Sequence, residues 1–147
     1  MKLLPSDPDI QTIVARIESG DLDLQPNFQR GEVWSTSKKK KLIDSILRDW
    51  HVPPIHVVVA PNGKQEVLDG QQRLVSIRDF VRDEFRVDGN IAPYDETIFR
   101  LNNLAYSELP AETRRAFDQF TIRVFRLTDY RAGEPGELFF RLNQMTY

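Results

Sequence analysis

The sequence predicts a compact α+β domain in which helices pack on a small mixed sheet. Its 147 residues are the length of one domain. Apolar residues recur at helical spacing in several segments, and two valine-rich runs flank an Asn-Gly pair, which is a strong hairpin signal. The predicted elements follow in the order helix, helix, hairpin, helix, helix, strand, helix. We therefore expect a single domain over residues 1–147.

Two amphipathic helices come first in the chain. Asp7 or Asp9 is placed to cap the first helix, and Gly20 ends it. Ser35 opens the second helix, and the proline pair at 53–54 stops it. The apolar stripes are Ile10, Ile13, Val14 and Ile17 in the first helix, and Leu42, Ile43, Ile46, Leu47 and Trp50 in the second.

The rest of the chain mixes strands and helices around one irregular segment. The predicted elements are a hairpin over residues 55–60 and 65–68, helices over 71–84, 111–117 and 137–143, and a strand over 121–127. Residues 88–106 are interpreted as an insertion or a pair of irregular strands. The last helix has an apolar face of Leu138, Phe139 and Leu142 that nothing is placed to cover. We therefore expect the chain to be the N-terminal part of a longer protein.

Composition excludes several kinds of site. The chain has no cysteine, which rules out disulfides, thiolate metal sites and cysteine nucleophiles. Its two histidines, His51 and His56, are too few for a histidine-rich metal site and are interpreted as structural. No apolar run approaches the roughly 20 residues of a membrane-spanning helix, and no secretory signal opens the chain, so we expect a cytoplasmic protein without a membrane partner. The net charge of −2 confines any nucleic-acid contact to a local patch.

The main candidate site is the predicted strand–turn–helix segment over residues 67–74. A helix start presents unpaired N–H groups and about half a positive charge, which together attract an anion. Gly70 makes the turn, and Asp69 is placed as the helix cap. Arg73 opposes the helix dipole unless an anion such as a phosphate binds beside it, and Gln71-Gln72 add amide donors. A purely structural junction, with Arg73 paired to a neighbouring carboxylate, is equally consistent with the spacing.

A second candidate is the polar and aromatic segment over residues 26–34. Gln29 and Arg30 are candidate ligands for a nucleotide, because polar donors between aromatic side chains can clamp a base. The aromatic and apolar members, Phe28, Val33 and Trp34, are better explained as core residues.

Two further groups carry weaker signals. The run Lys38, Lys39, Lys40 and Lys41 is a candidate DNA contact, although a solvated helix start is the more common role of such a run. Arg141 and Asn143 lie two residues apart on the last helix and mean little alone. No carboxylate pair has the spacing of a recognised metal motif, so no metal site is predicted from the spacing.

Four segments together resemble the N-terminal domain of GmrSD-type, modification-dependent restriction proteins. They are Gln29-Arg30 with Val33-Trp34, residues 42–47 with the prolines at 53–54, the Asp-Gly-Gln-Gln-Arg signature at 69–73, and residues 140–143. The signature is the hallmark of that family, and the resemblance spans residues 24–143. The family resembles the ParB/sulfiredoxin fold, in which a Gly-x-x-Arg turn holds nucleotide phosphates, and Gly70 and Arg73 match that turn. Sulfiredoxin needs a cysteine where this chain has glutamines, so sulfinic-acid reduction is excluded.

The resemblance implies an NTP-binding and NTP-hydrolysing regulatory domain in bacterial defence against foreign or modified DNA. The expected cofactors are an NTP, either GTP or ATP, and Mg²⁺. The partners implied are DNA and a C-terminal HNH-type nuclease domain or subunit. The expected catalytic residues are Asp69, Gln72 and Arg73, and the expected nucleotide-binding residues are Gly70, Gln71, Gln72, Arg73, Gln29, Arg30, Arg141 and Asn143.

Two other functions remain open at this point. The same pocket would serve a non-catalytic DNA-binding sensor, helped by the lysines at 38–41. Alternatively, the uncovered face of the last helix would make the domain an interaction module resembling an antitoxin or an inhibitor.

Overall fold

The computed structural model describes residues 1–24 and 33–144, which form a five-stranded mixed sheet with helices packed on it. The spatial order of the strands is β1-β5-β3-β4-β2. Their bounds are β1 Lys2–Ser6, β2 Leu22–Asp23, β3 Ile55–Val59, β4 Gln65–Asp69 and β5 Val124–Thr128. The α+β class predicted from the sequence is confirmed.

The strand directions bring three chain segments to one edge of the sheet. The central strand β3 is antiparallel to β4 and parallel to β5. The beginning of β3, the beginning of β5 and the end of β4 therefore lie at the same edge. The outer strands complete the sheet, with β1 antiparallel to β5 and β2 parallel to β4.

Six α-helices are present among the described residues. They are α1 Ile10–Ser19, α2 Thr36–Leu47, α3 Gln71–Val81, α4 Glu96–Phe99, α5 Ala111–Gln119 and α6 Glu134–Gln144. A 3-10 turn over Tyr106–Glu108 precedes α5.

The first two helices begin where the sequence predicts. The Asp9 carboxylate accepts a hydrogen bond from the backbone N–H of Thr12 at 2.8 Å, and the Ser35 hydroxyl accepts one from that of Lys38 at 3.2 Å. Both contacts satisfy donors that a helix start leaves unpaired. Gly20 ends α1 in the left-handed region, at φ 84°.

The main core lies between the sheet and helices α1, α2, α3 and α5. Phe80 of α3 is fully buried, with its ring centroid 5.3 Å from that of Phe117 in α5. Ile13 and Ile43 bring α1 and α2 into the same cluster, and Val57 supplies part of the sheet surface. Truncating a buried phenylalanine of this kind costs about 3–5 kcal/mol.

The opposite face of the sheet is covered by α6. Val58, Leu68 and Leu127 point to this face because side chains alternate along a strand, and Leu138 and Phe139 of α6 pack on them. The prediction that the apolar face of the last helix is uncovered is therefore wrong for Leu138 and Phe139. The surface on which the interaction-module alternative depended is largely occupied by the sheet.

Other expectations also need correction. The helix α2 ends at Leu47, and Trp50 lies beyond it with 49% of its surface exposed, so Trp50 is not part of the buried stripe. Val33 is exposed as well, whereas Trp34 packs partly buried on the main core. Phe28 lies outside the described residues. The strand β1 was not predicted from the sequence, and it pairs with β5 from the far end of the chain.

Residues 88–106 form turns and the short helix α4 rather than strands. The side-chain oxygen of Asn102 accepts a hydrogen bond from the Gly89 N–H at 2.9 Å, which closes the segment on itself. The Arg48 guanidinium donates to the Ile91 carbonyl at 2.8 Å and to the Asp44 carboxylate at 2.9 Å. This buried ion pair at the C-terminal end of α2 therefore anchors the irregular segment to the core.

Candidate functional site

The junction between β4 and α3 is built around a glycine that no other residue can replace without strain. Gly70 has φ 104°, a left-handed conformation that side chains rarely adopt. A Cβ atom added there would lie 2.4 Å from the Cδ1 atom of Ile55 and 3.2 Å from the Nη2 atom of Arg73. The close approach of β3 and Arg73 to the turn therefore depends on the missing side chain.

The start of α3 has no side-chain cap. Asp69 is the last residue of β4, and Gly70 occupies the N-cap position without a side-chain hydrogen bond to the helix. The prediction that Asp69 caps α3 is therefore wrong. Because Asp69 does not neutralise the helix start, the first-turn N–H groups and the positive end of the helix dipole keep their attraction for an anion.

Arg73 projects from the first turn of α3 back toward the edge of the sheet. Its Nη2 atom donates a 2.8 Å hydrogen bond to the carbonyl oxygen of Pro54 and lies 3.6 Å from the Oδ2 atom of Asp69. The second distance is an ion pair but too long for a hydrogen bond. The Nε atom of Arg73 is buried and has no hydrogen-bond partner. The sequence left open whether Arg73 pairs with a neighbouring carboxylate. It pairs with Asp69, but at a distance too long for a hydrogen bond.

Burial sets the electrostatics of Arg73. Only 17% of its side chain is exposed, and the loss of solvent lowers the pKa of the guanidinium, an effect that the neighbouring Asp69 carboxylate opposes. An arginine remains charged in any protein setting, so this site holds a partly desolvated cation whose Nε donor is buried and unpaired. Such a group gains more from an anionic ligand than a solvated arginine does, because the Coulomb attraction is less screened.

His56 belongs to the same cluster, although the sequence assigned it a structural role. Its Nδ1 atom lies 3.6 Å from the Oδ2 atom of Asp69 and is buried without a hydrogen-bond partner. Its ring stacks on that of Phe125, with centroids 5.3 Å apart and planes inclined by 25°. His56 on β3 lies opposite Asp69 on β4 only because the strand register shifts between His56 and Val57, so the hairpin pattern in the sequence could not have revealed it.

The two glutamines of the signature are already engaged in local contacts. The Gln71 side chain is buried and donates to the Val67 carbonyl at 3.1 Å. The Gln72 side-chain oxygen accepts a hydrogen bond from the backbone N–H of Trp34 at 3.1 Å. Gln72 therefore ties the site to the chain that immediately follows residues 25–32. Gln29 and Arg30 fall in that range and lie outside the described residues.

The remaining predicted residues are distributed over two other helices. On α2, Lys39 forms a 3.1 Å ion pair with Asp79 of α3, and the Lys38 ammonium lies 5.0 Å above the Trp34 ring. On α6, Arg141 pairs with Glu137 at 2.9 Å and Asn143 donates to the Phe139 carbonyl at 2.8 Å. Within the described ranges, the hydrogen bonds and ion pairs of these two α6 residues stay within α6 and do not reach the β4–α3 junction.

A cavity of about 480 Å³ opens at the same edge of the sheet. It lies between the segment that precedes β3 and the segment that leads into β5. Pro54, whose carbonyl binds Arg73, lines this cavity, and so does Phe125, whose ring stacks on His56. The cavity and the Arg73 cluster therefore share two residues.

Two features are absent from the described residues, namely a cluster of metal ligands and a membrane-spanning helix. No group of three or more His, Asp or Glu side chains is placed in residues 1–24 and 33–144 to hold a metal ion. None of the helices described is long and apolar enough to cross a membrane.

The fold and the site together define a small α+β domain with an anion-attracting strand–turn–helix junction at one edge of its sheet. The family model for the GmrSD restriction endonuclease, N-terminal domain, matches residues 10–146, and the chain belongs to this family. The resemblance inferred from the sequence is thereby confirmed, while the relation to the ParB fold stays a prediction. No curated protein and no solved structure gives a significant match. Membership implies a role in the restriction of modified DNA, with a C-terminal nuclease domain and a DNA substrate in the full protein.

Proposed function

We propose that this domain binds a nucleoside triphosphate, GTP or ATP, at the β4–α3 junction and hydrolyses it to regulate the restriction of foreign or modified DNA. The observation that carries the proposal is the state of Arg73. A partly buried guanidinium stands in the first turn of an uncapped helix, with its Nε atom buried and unpartnered. Buried polar atoms are nearly always paired in proteins, so an unpaired donor at this position favours a ligand that supplies the acceptor.

Each residue of the junction has a separate role in the proposed phosphoryl transfer. The backbone N–H groups that follow Gly70 bind phosphate oxygens, and Arg73 neutralises the charge that builds up in the transition state. Gln72 positions the attacking water after its side-chain oxygen exchanges the hydrogen bond from the Trp34 N–H for one from that water. Arg30 is proposed to add a second cation and Gln29 a polar ligand, although both lie outside the described residues. Arg141 and Asn143 remain predicted ligands without a contact in support.

Asp69 fits a Mg²⁺ ion that is held mainly by the nucleotide. Magnesium in nucleotide sites usually keeps several waters and binds one or two carboxylates together with the phosphates. Asp69 supplies one carboxylate beside Arg73, and none of its oxygens is in a described hydrogen bond. A Mg²⁺ ion held in this way needs no cluster of three protein ligands, and the described residues contain none.

In the full protein, nucleotide hydrolysis would license cleavage of DNA by the nuclease domain in the cytoplasm. The domain would then act as a regulator, and the DNA contact would be made by the assembly. Lys40 and Lys41 at the start of α2 are the proposed local contribution to that contact, at the helix whose Lys39 pairs with Asp79 of α3.

Calorimetry with an Arg73→Ala variant tests the proposal. GTP and ATP should bind the wild-type domain with Mg²⁺ present, and the variant should lose binding. The variant should also be less stable by about 1–3 kcal/mol, because the Pro54 carbonyl loses its charged donor. Arg100→Ala is the matched control, since Arg100 pairs with Glu96 on the exposed surface of α4 and should not affect binding.

Unchanged nucleotide binding in the folded Arg73→Ala variant would overturn the assignment. If instead duplex DNA binds, with an affinity that falls steeply with salt, and neither nucleotide binds, the non-catalytic DNA sensor is the correct alternative.

A further inference from the structure

The cavity at the edge of the sheet has the size and walls of a site for a flat ring. Its volume of about 480 Å³ lies within the range of roughly 300–1,000 Å³ that is typical of small-molecule sites. Three aromatic side chains line it, namely those of Trp50, Phe120 and Phe125. This edge cavity is lined by these aromatics together with Pro54, Asp7 and Arg123, and it meets the signature only through the contact of Pro54 with Arg73.

Trp50 is an exposed aromatic residue that is nevertheless held in place. The Arg48 guanidinium lies 5.0 Å from the centroid of its ring. The Arg48 side chain is only 5% exposed, and its hydrogen bonds to Asp44 and to the Ile91 carbonyl hold it in place. A half-exposed indole on a rigid support loses little conformational entropy when a ligand stacks on it. The arrangement therefore favours stacking with another ring.

A half-exposed ion pair completes the rim of the edge cavity. Arg123 donates to both carboxylate oxygens of Asp7, from Nε at 2.7 Å and from Nη2 at 3.0 Å. The Arg123 guanidinium lowers the pKa of Asp7, and Asp7 raises that of Arg123, so both groups stay charged near neutral pH. The remaining N–H groups and lone pairs present donors and acceptors side by side, which suits the edge of a heteroaromatic base.

The edge cavity adjoins the proposed phosphate site through two shared walls. Pro54 lines the cavity, and its carbonyl accepts the 2.8 Å hydrogen bond from Arg73. Phe125 lines the cavity, and its ring stacks on His56, whose Nδ1 atom is 3.6 Å from Asp69. A ligand with an anionic end at Arg73 therefore has a cavity with aromatic walls within reach of its other end.

We propose that the edge cavity binds the base of the nucleotide, with the ring stacked on Trp50 and its polar edge facing Asp7 and Arg123. This assignment rests on the proposed function, since it takes the triphosphate end to lie at Arg73. The two ends of the ligand then have separate determinants. Aromatic contacts govern the affinity for the base, and Arg73 governs the affinity for the phosphates.

Calorimetry with two probes separates these determinants. GTP and ATP carry both ends of the ligand, whereas inorganic tripolyphosphate carries the anionic end alone. The Trp50→Ala variant should bind the preferred nucleotide about tenfold or more weakly, because stacking of a base on an aromatic side chain is lost. Its affinity for tripolyphosphate should equal that of the wild type, while Arg73→Ala should lose both ligands.

Matched variants exclude a general effect of removing an exposed aromatic residue. Tyr94→Ala removes an exposed ring that contacts Phe99, outside the edge cavity, and should bind both probes normally. Trp50→Phe keeps a stacking surface and should recover most of the nucleotide affinity. Should Trp50→Ala fail to fold, Arg123→Gln tests the same cavity from its rim and should weaken nucleotide binding alone. In a Trp34→Phe background, nucleotide but not tripolyphosphate should quench the emission of Trp50.

The outcomes distinguish this inference from the proposed function. If Trp50→Ala and Arg123→Gln both bind the nucleotide as the wild type does, the edge cavity is not the base site, although the triphosphate site stands. The same conclusion follows if tripolyphosphate binds as tightly as GTP and ATP. If none of the three probes binds the wild-type domain, the proposed function fails and the assignment of the cavity fails with it.

Discussion

The Nδ1 atom of His56 lies 3.6 Å from the Oδ2 atom of Asp69, at the point where β3 and β4 meet beside the start of α3. The same carboxylate oxygen lies 3.6 Å from the Nη2 atom of Arg73. One carboxylate thus stands between an imidazole and a guanidinium without a hydrogen bond to either. The three groups are close enough for electrostatic coupling, and a small movement of the Asp69 side chain would let it hydrogen-bond to either neighbour or turn toward a ligand.

The position of Asp69 leads to a prediction about charge. The Asp69→Asn variant removes a negative charge beside Arg73, so metal-free tripolyphosphate should bind several-fold more tightly than to the wild type. Hydrolysis of GTP or ATP should be lost, because the variant lacks the carboxylate proposed to hold Mg²⁺. Calorimetry and a phosphate-release assay measure the two effects separately. Weaker metal-free binding in the variant would contradict the placement of phosphates at Arg73.

Gly70 gives a prediction about stability that needs no ligand. The Gly70→Ala variant combines a left-handed backbone with a Cβ atom 2.4 Å from the Ile55 Cδ1 atom. We expect the free energy of unfolding to fall by about 2–4 kcal/mol, the sum of conformational strain and overpacking. Gly63→Ala is the control, because its φ is 84° but no atom lies within 4 Å of the added Cβ. Its cost should be limited to about 1–2 kcal/mol of backbone strain.

A second substitution tests the physical cause. Ile55→Val removes the Cδ1 atom, so it should restore part of the stability lost in Gly70→Ala and cost the wild type about 0.5–1.5 kcal/mol. Urea unfolding of the two single variants and the double variant gives the coupling between the two sites. Simple additivity would show that the contact with Ile55 does not explain the requirement for glycine.

The sequence predicted the features that depend on neighbouring residues. The caps Asp9 and Ser35, the stop at Gly20 and the hairpin around Asn62-Gly63 are all confirmed, because each is set by contacts within a few residues. The choice of Gly70 and Arg73 as the focus of the site also followed from local rules for helix starts. That they bind a nucleotide stays a prediction, which calorimetry with the Arg73→Ala variant tests.

The sequence could not predict the features that depend on register and on distant partners. In a hairpin without a bulge, His56 would lie opposite Leu68. The register shifts between His56 and Val57, however, and this places Asp69 opposite His56. Such a bulge has no local signature here, so the role of His56 was missed. The edge strand β1 and the burial of Phe139 likewise depend on β5 and the far face of the sheet.

The ion pair between Asp44 and Arg48 allows a test of a buried charge. Their side chains are 4% and 5% exposed, and Arg48 also binds the Ile91 carbonyl. Arg48→Met should lower the free energy of unfolding by about 3–5 kcal/mol, because it leaves the Asp44 carboxylate buried without its partner. The double variant Asp44→Leu with Arg48→Met should be more stable than Arg48→Met alone. Chemical unfolding measures both, and a double variant that is less stable than the single one would refute the unpaired charge as the cause.

Tyr106 makes the stability of the domain sensitive to alkaline pH. Burial, together with the 2.7 Å hydrogen bond that its hydroxyl donates to Asp118, raises its pKa to about 12 from the ordinary value of 10. The folded state therefore holds the phenolic proton more tightly than the unfolded state. This contribution to stability is complete below pH 10 and is lost as the pH rises from 10 to about 12. Tyr106→Phe should flatten the decline of stability in that window, measured by urea unfolding at several pH values. Phenolate absorbance of the folded wild type should include a late step that Tyr106→Phe lacks, and identical titration curves for the two proteins would contradict the assignment.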